Sequence, residues 1–319
     1  MASFSIGEAY GSGFGLVARK PLQVLTWGIV YSGLKLLPVL LMLWLVGPDM
    51  LKAWGELIAN AAANGDPEAG MESFAQTMSR VQSFEALGWL TSILATAIIN
   101  AAIYRAMLRP GDGGFLHMKV GMDELWQGLI YLVASILIAI FAVLVLLASA
   151  AIGGIVYFIG EAAGSPLGGW IKVLGLIATV VACFTTIIWI CLRFALAGPA
   201  TFDNRTFQLF ESWTLTKGHS WSLLGLALLL LVTFIVVEVV LGGIFLATFF
   251  SLGSLEALSP DSIEAFFAQP PDVWLAVAAP WIIGIGMISA LLSGILYTVL
   301  LAPFASVYAQ LTETPQPAA

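Results

Sequence analysis

The chain has 319 residues, of which 60% are hydrophobic and only 10% charged, with a net charge of −7. A soluble domain carries roughly 25% charged residues, and 12 basic plus 19 acidic side chains are too few to clothe a soluble fold of this length. A bilayer removes that demand because it requires an apolar exterior, and the lack of a dense basic patch argues against a nucleic-acid partner.

Residues 1–18 contain no Lys or Arg ahead of an apolar core, and Gly7, Gly11, Gly13 and Gly15 interrupt them. No cleavable signal is therefore expected, and the first hydrophobic span serves as its own insertion signal. Six apolar stretches follow, at about 22–46, 86–107, 126–150, 171–196, 222–249 and 277–301. Each reaches the roughly 20 residues that a hydrocarbon core of about 30 Å requires. Only helix satisfies the backbone there, since a barrel needs short alternating strands. The expected fold is one all-α, six-span transmembrane domain over 1–319. Cys183 and Cys191 lie about 12 Å apart along one helix axis, too far for a disulfide, and read as packing residues.

Basic residues orient the spans. Arg19 and Lys20 precede span 1, Arg105, Arg109 and Lys119 lie between spans 2 and 3, and Arg193, Arg205 and Lys217 flank the link between spans 4 and 5. The other side keeps Lys52, Arg80 and Lys172, and Lys35 is inside span 1. The positive-inside rule then places both termini in the cytoplasm. Two outer loops, 47–85 and 250–275, are acidic. In the first, Asp66 and Pro67 suit a helix start, and Met71, Phe74, Met78 and Val81 recur at helical spacing. In the second, Ser259-Pro260 repeats the start ahead of Ile263, Phe266 and Phe267. Both are expected to form short amphipathic helices on the outer face.

A weak repeat runs through the chain. Odd spans follow a Glu-bearing segment: Ser5-Ile6-Gly7-Glu8, Met122-Asp123-Glu124-Leu125 and Phe210-Glu211-Ser212-Trp213. Even spans end in Tyr104-Arg105 then Pro110, Arg193 then Pro199, and Tyr297 then Pro303. Three hairpins of like topology would be related by an axis along the membrane normal. Between spans 4 and 5, Phe207, Phe210 and Trp213 or Thr214 predict a surface helix over about 205–217, capped by Asp203 or Asn204 and bent at Gly218 into span 5.

The run Ser212-Trp213-Thr214-Leu215-Thr216-Lys217-Gly218-His219-Ser220-Trp221-Ser222-Leu223-Leu224-Gly225, with the upstream Pro199, resembles a pattern of six-helix bacterial membrane proteins. That group includes the YciC-like family and the membrane domain attached to some glycerophosphoryl diester phosphodiesterases. Phe4-Ser5-Ile6-Gly7-Glu8-Ala9 and Tyr308-Ala309-Gln310-Leu311 agree with it. Tyr104 to Pro110 and Gly121 to Leu125 resemble an alphaproteobacterial branch of uncharacterised membrane proteins. The likeness implies a six-helix inner-membrane fold. It implies no catalysis, because the phosphodiesterase chemistry of that group resides in a separate soluble barrel.

The sequence offers no catalytic, cofactor-binding or metal set. His117 and His219 are the only histidines, and no Cys or His cluster has ligand spacing. Asn204-Arg205-Thr206 matches a glycosylation acceptor but falls on the cytoplasmic side. Two intramembrane charges remain. Lys35 and Glu238 lie on outward-running spans at similar depth, and a lone charge there costs roughly 2.5–3.5 kcal/mol. They are expected to pair or share a hydrated cavity, with Gly28 and Ser32 beside Lys35 and Gly242 beside Glu238; otherwise Lys35 snorkels and Glu238 is protonated. Three polar stripes run down the inward spans: Ser92, Thr96 and Asn100; Thr179, Cys183 and Thr186; Ser289, Ser293 and Tyr297. Such stripes pack helices or line a path.

The candidate intramembrane polar site is therefore Lys35, Glu238, Asn100 and Tyr297. The leading reading is a non-enzymatic inner-membrane protein of scaffold or envelope-maintenance type, with membrane lipids as partners. The alternative is a transporter or channel for a small polar or lipid-like solute, with a cavity near Lys35 and Glu238. Convergence of the four residues on one cavity favours transport, and dispersal favours the scaffold. In a background with both cysteines replaced by Ala, Asp112→Cys and Asn204→Cys should escape a membrane-impermeant maleimide in intact cells, whereas Glu68→Cys should react. Strong labelling at 112 or 204 would reverse the topology.

Overall fold

The computed structural model describes residues 4–62, 67–112, 116–251 and 271–312, and among them it contains helices and turns but no strand. The helices are α1 (Ile6–Arg19), α2 (Pro21–Leu45), α3 (Gly47–Ala62), α4 (Pro67–Leu108), α5 (Met122–Ala163), α6 (Leu167–Phe194), α7 (Ala197–Asn204), α8 (Glu211–Leu215), α9 (Ser220–Ser251) and α10 (Pro271–Leu311). Six of them, α2, α4, α5, α6, α9 and α10, contain segments long and apolar enough to cross a bilayer. The protein is an all-α polytopic membrane protein.

Local chemistry explains the first boundary. Ser5 caps α1 by accepting from the Glu8 N–H, and Glu8 and Arg19 complement the two ends of the helix dipole. Lys20 leaves the helical region, and Pro21, whose missing N–H costs nothing at a first turn, starts α2. The two chain ends meet on one face of the bundle, where the Ser5 N–H donates to Gln310 Oε1 at 2.8 Å. That side is called the terminal face below.

The helix expected after Pro67 is not a separate surface element. It is continuous with span 2, giving a helix of 42 residues, roughly 63 Å long and about twice the hydrocarbon thickness. No proline interrupts it, and the lone Gly88 costs only about 1 kcal/mol, too little to end a helix. Its N-terminal half packs on α3 through Trp54 and Phe74, ring centroids 5.8 Å apart, and through an Arg80–Asp49 ion pair at 2.9 Å. The expected cap Asp66 and the second outer helix around 259–267 lie outside the described residues.

The segment 205–217 also departs from expectation. Asn204 ends α7 instead of capping a new helix, Arg205 takes a left-handed conformation at φ 53°, and helix resumes only over Glu211–Leu215. Side-chain hydroxyls explain the break. Thr201 Oγ1 accepts from the Gln208 N–H at 3.1 Å. The buried Ser212 hydroxyl accepts from the Leu196 N–H at 3.1 Å and donates to the Arg193 carbonyl at 2.7 Å. Pro199 cannot donate to the Ala195 carbonyl, so α6 and α7 are separate helices stitched by Ser212. Gly218, at φ 89°, makes the bend into α9.

α4 is the central span, with half of its most apolar window buried, whereas only 6% of that of α5 is buried. Leu147, Phe158, Leu176 and Val239 face outward from α5, α6 and α9, as lipid-facing helices require. The tight core lies toward the terminal face, where Leu196, Phe202, Leu223, Leu226 and Val307 are fully enclosed. Small residues set the helix spacing there. A Cβ on Gly28 would stand 2.7 Å from Gly294 N and 2.9 Å from Gly294 Cα, and one on Gly13 would stand 2.8 Å from Val299 Cα. α10 thus receives α2 and α1 at backbone contact. Gly33, on the open side of α2, has nothing within 4 Å of its Cβ position. Gly28→Ala should therefore destabilise by about 1–3 kcal/mol through overpacking, while Gly33→Ala should be neutral or slightly stabilising. Equal effects in unfolding of the reconstituted protein would contradict this packing.

Candidate functional site

Two polar layers are built into the bundle. The first lies at the terminal face and joins the end of α4 to the start of α5. Arg105 is 1% exposed, and desolvating a guanidinium there requires strong compensation. Its Nη2 donates to Glu124 Oε1 at 2.7 Å and to Asp123 Oδ2 at 3.2 Å, and its Nη1 donates to the His117 carbonyl at 2.6 Å. Glu124 is itself buried, and both acids occupy the first turn of α5, where the helix dipole favours negative charge. Arg109 Nη2 donates to the Phe202 and Asp203 carbonyls at 3.0 and 2.6 Å. The Phe202 ring stacks on both guanidinium groups, 5.6 Å from Arg105 and 5.0 Å from Arg109. Arg205 bridges Asp112 and Asp123 at 3.7 and 3.8 Å.

The linker between the two helices is pinned to this cluster. Trp27 Nε1 donates to the Leu116 carbonyl at 2.7 Å, and the fully buried Gln127 donates to the Gly198 carbonyl at 3.1 Å. His117 Nε2 lies 3.1 Å from the Pro110 carbonyl and 3.4 Å from Lys20 Nζ. Burial lowers the His117 pKa against the Pro110 bond that raises it, with Lys20, Arg105 and Lys119 adding to the lowering. Burial likewise lowers that of Lys20, with Arg19 adding to it. The Lys119 ammonium holds the Asp112 carboxyl below its usual range. The carboxylates Asp112, Asp123 and Glu124 are shared among Arg105, Arg109, Arg205 and Lys119, so every acid of this clasp is already engaged.

The second layer is inside the membrane region and joins two of the four residues expected as a polar site, Lys35 and Tyr297, through Tyr31. Lys35 Nζ donates to the Tyr31 hydroxyl at 3.2 Å, with the ammonium 5.2 Å from the Tyr31 ring centroid. The Tyr31 and Tyr297 hydroxyls are hydrogen-bonded to each other, their ring centroids 4.4 Å apart. Ser32 and Ser293 pair at 2.9 Å one step along the same α2–α10 seam, beside the Gly28–Gly294 contact. Thr96 is buried on α4. Asn100 follows one turn along α4, buried, and its Oδ1 has no partner among the described residues.

Glu238 is not part of this layer. It is exposed on α9, and among the described residues it forms no ion pair with Lys35. Matched depth did not bring the two together because α9 packs on the rest mainly through its first turns, where Leu223, Leu226 and Leu230 are buried. Gly242 has nothing within 4 Å of its Cβ position, so no neighbouring helix approaches Glu238 by that route. Sequence reasoning missed Tyr31, although it stands one turn before Lys35, where a helical side chain leans. It also missed the Arg105 clasp, whose signal was opposite charges closing span 2 and opening span 3 on the same side.

Arg105→Ala should cost about 3–5 kcal/mol in unfolding, because it strands Glu124 in the core, while Arg105→Met combined with Glu124→Leu should recover most of the loss. Additive losses would show that the two act separately. No family model, curated protein or solved structure matches the chain.

Proposed function

We propose that the chain is a non-catalytic scaffold of the bacterial inner membrane, resembling the YciC-like group, with both termini in the cytoplasm and lipids as its immediate partners. One observation carries this reading: two hydroxyl pairs within the spans bond across a helix seam, and several other span hydroxyls bond to carbonyls of their own helix. Tyr31 with Tyr297 and Ser32 with Ser293 join α2 to α10, Lys35 leans on Tyr31, and Thr298 bonds back to the Gly294 carbonyl of its own helix. Hydroxyls so used strengthen helix association and are withdrawn from solute coordination. The dispersal of Glu238 from Lys35 points the same way.

A carrier is the second reading. Lys35 has no carboxylate partner among the described residues, and the Asn100 Oδ1 is buried and unpaired, so a polar solute would find one cation and one acceptor near the Tyr31–Tyr297 pair. Solute and lipid analysis of the purified protein and of Lys35→Met separates the two. The scaffold reading expects identical profiles and a coupling of about 0.6 kcal/mol between Tyr31→Phe and Tyr297→Phe in unfolding. A small molecule retained by the native protein and lost with Lys35→Met would replace the scaffold with the carrier.

A further inference from the structure

Arg193 stands apart from the other arginines of the terminal face that are drawn into the core. Arg105, Arg109 and Arg205 share Asp112, Asp123 and Glu124, but among the described residues Arg193 has no carboxylate within ion-pair distance. It is half-buried at the end of α6, between two indoles: its guanidinium lies 5.0 Å from the Trp189 ring and 5.6 Å from the Trp213 ring. The two rings meet edge to face at 5.2 Å and form a corner around it. Among the described residues Arg193 makes one hydrogen bond, from Nη1 to Thr216 Oγ1 at 3.3 Å, and its buried Nε has no partner. A planar cation stacked on aromatic faces with free N–H groups in its plane is the geometry that receives a phosphate oxygen.

What surrounds this corner indicates where such a phosphate comes from. Trp189 and Trp213 are themselves partly exposed, Trp221 is 84% exposed, and Phe210 is exposed beside them, the aromatic signature of a membrane–water interface. Lys217 is exposed on the same turn. Moreover, Gly175, Thr179, Ala182, Thr186, Trp189 and Arg193 follow one another at intervals of four and three residues, so they form a single stripe on α6. The upper part of that stripe and the facing Ala148, Ser149 and Ile152 of α5 line an open, mainly apolar groove of about 510 Å³. Thr186, at its lower end, is about 10 Å along the axis from Arg193 and Gly175 about 27 Å, so the groove opens within the roughly 15 Å depth of the near leaflet and continues past the bilayer centre.

We propose that Arg193, framed by Trp189 and Trp213, binds the phosphate of an anionic phospholipid whose acyl chain lies in the α5–α6 groove. The charge that no carboxylate balances, the interfacial indoles and the apolar channel on the same helix face then serve one ligand. The assignment holds for a scaffold and for a carrier alike. Lys217 adds a second, solvent-facing charge and favours anionic over zwitterionic headgroups.

Native mass spectrometry of the full chain, titrated with phosphatidylglycerol, phosphatidylcholine or inorganic phosphate, tests it. The native protein should retain phosphatidylglycerol about tenfold better than phosphatidylcholine. Arg193→Gln should abolish that preference, and Arg80→Gln, on the opposite face, should keep it. Ala182→Phe, which fills the groove, should weaken retention of both lipids. Should Arg193→Gln fail to fold, Trp189→Leu decides the question, with a several-fold drop in preference expected. An unchanged preference in these variants, or displacement of the lipid by millimolar inorganic phosphate, would overturn the proposal, the latter by making the site one for free phosphate.

Discussion

A guanidinium buried to 1% exposure at the end of an apolar helix has few places to put its charge, and the bundle is arranged around the answer found for Arg105. The ion needs carboxylates at hydrogen-bonding distance, and Asp123 and Glu124 supply them from the first turn of α5. That requirement brings the start of α5 against the end of α4. Arg109 then reaches across to the carbonyls that close α7, and Phe202 enters the space between the two arginines. Breaking one partner would leave an uncompensated charge in the best-packed part of the protein, which is why the clasp constrains every element around it.

A related device closes the next junction. The Arg105–Glu124 bond spans 19 residues, from the end of one membrane helix to the head of the next, and so does the bond from Ser212 to the Arg193 carbonyl. In the first case the bridge is ionic and in the second a single hydroxyl, yet both tie a span end to the segment that leads into the following span. The neutral bridge leaves the Arg193 side chain free to face outward, where the indoles collect it. A buried charge pair and a half-buried cation thus stand at the ends of two apolar helices.

Cohesion between helix faces has a different character. Apolar side chains gain little from leaving lipid, so helices associate through close backbone contact and hydrogen bonds. α10 meets α2 at Gly28–Gly294 and α1 at Gly13–Val299, and the tyrosine and serine pairs sit on the first of these seams. α5 and α6 meet in the same way at Gly160–Gly168, while their remaining faces and much of α9 present large apolar residues to the bilayer.

By itself the sequence determined the helical class and the six long apolar helices, because hydrocarbon thickness and backbone satisfaction act on every residue of a stretch locally. It also singled out Lys35, Asn100 and Tyr297 as polar groups in an apolar setting. Tertiary structure alone decided which of these meet. Lys35 and Glu238 have matching depth, but depth is one coordinate, and the azimuth of α9 about the bundle leaves Glu238 exposed. The same holds for the Arg105 clasp: each charge was visible at a helix end, but their union depends on how two helices approach. The break at 205–210 was hidden for a different reason. The Thr201 hydroxyl took the Gln208 N–H that a continuous helix would have used, and such competition is settled only when the chain folds back on itself.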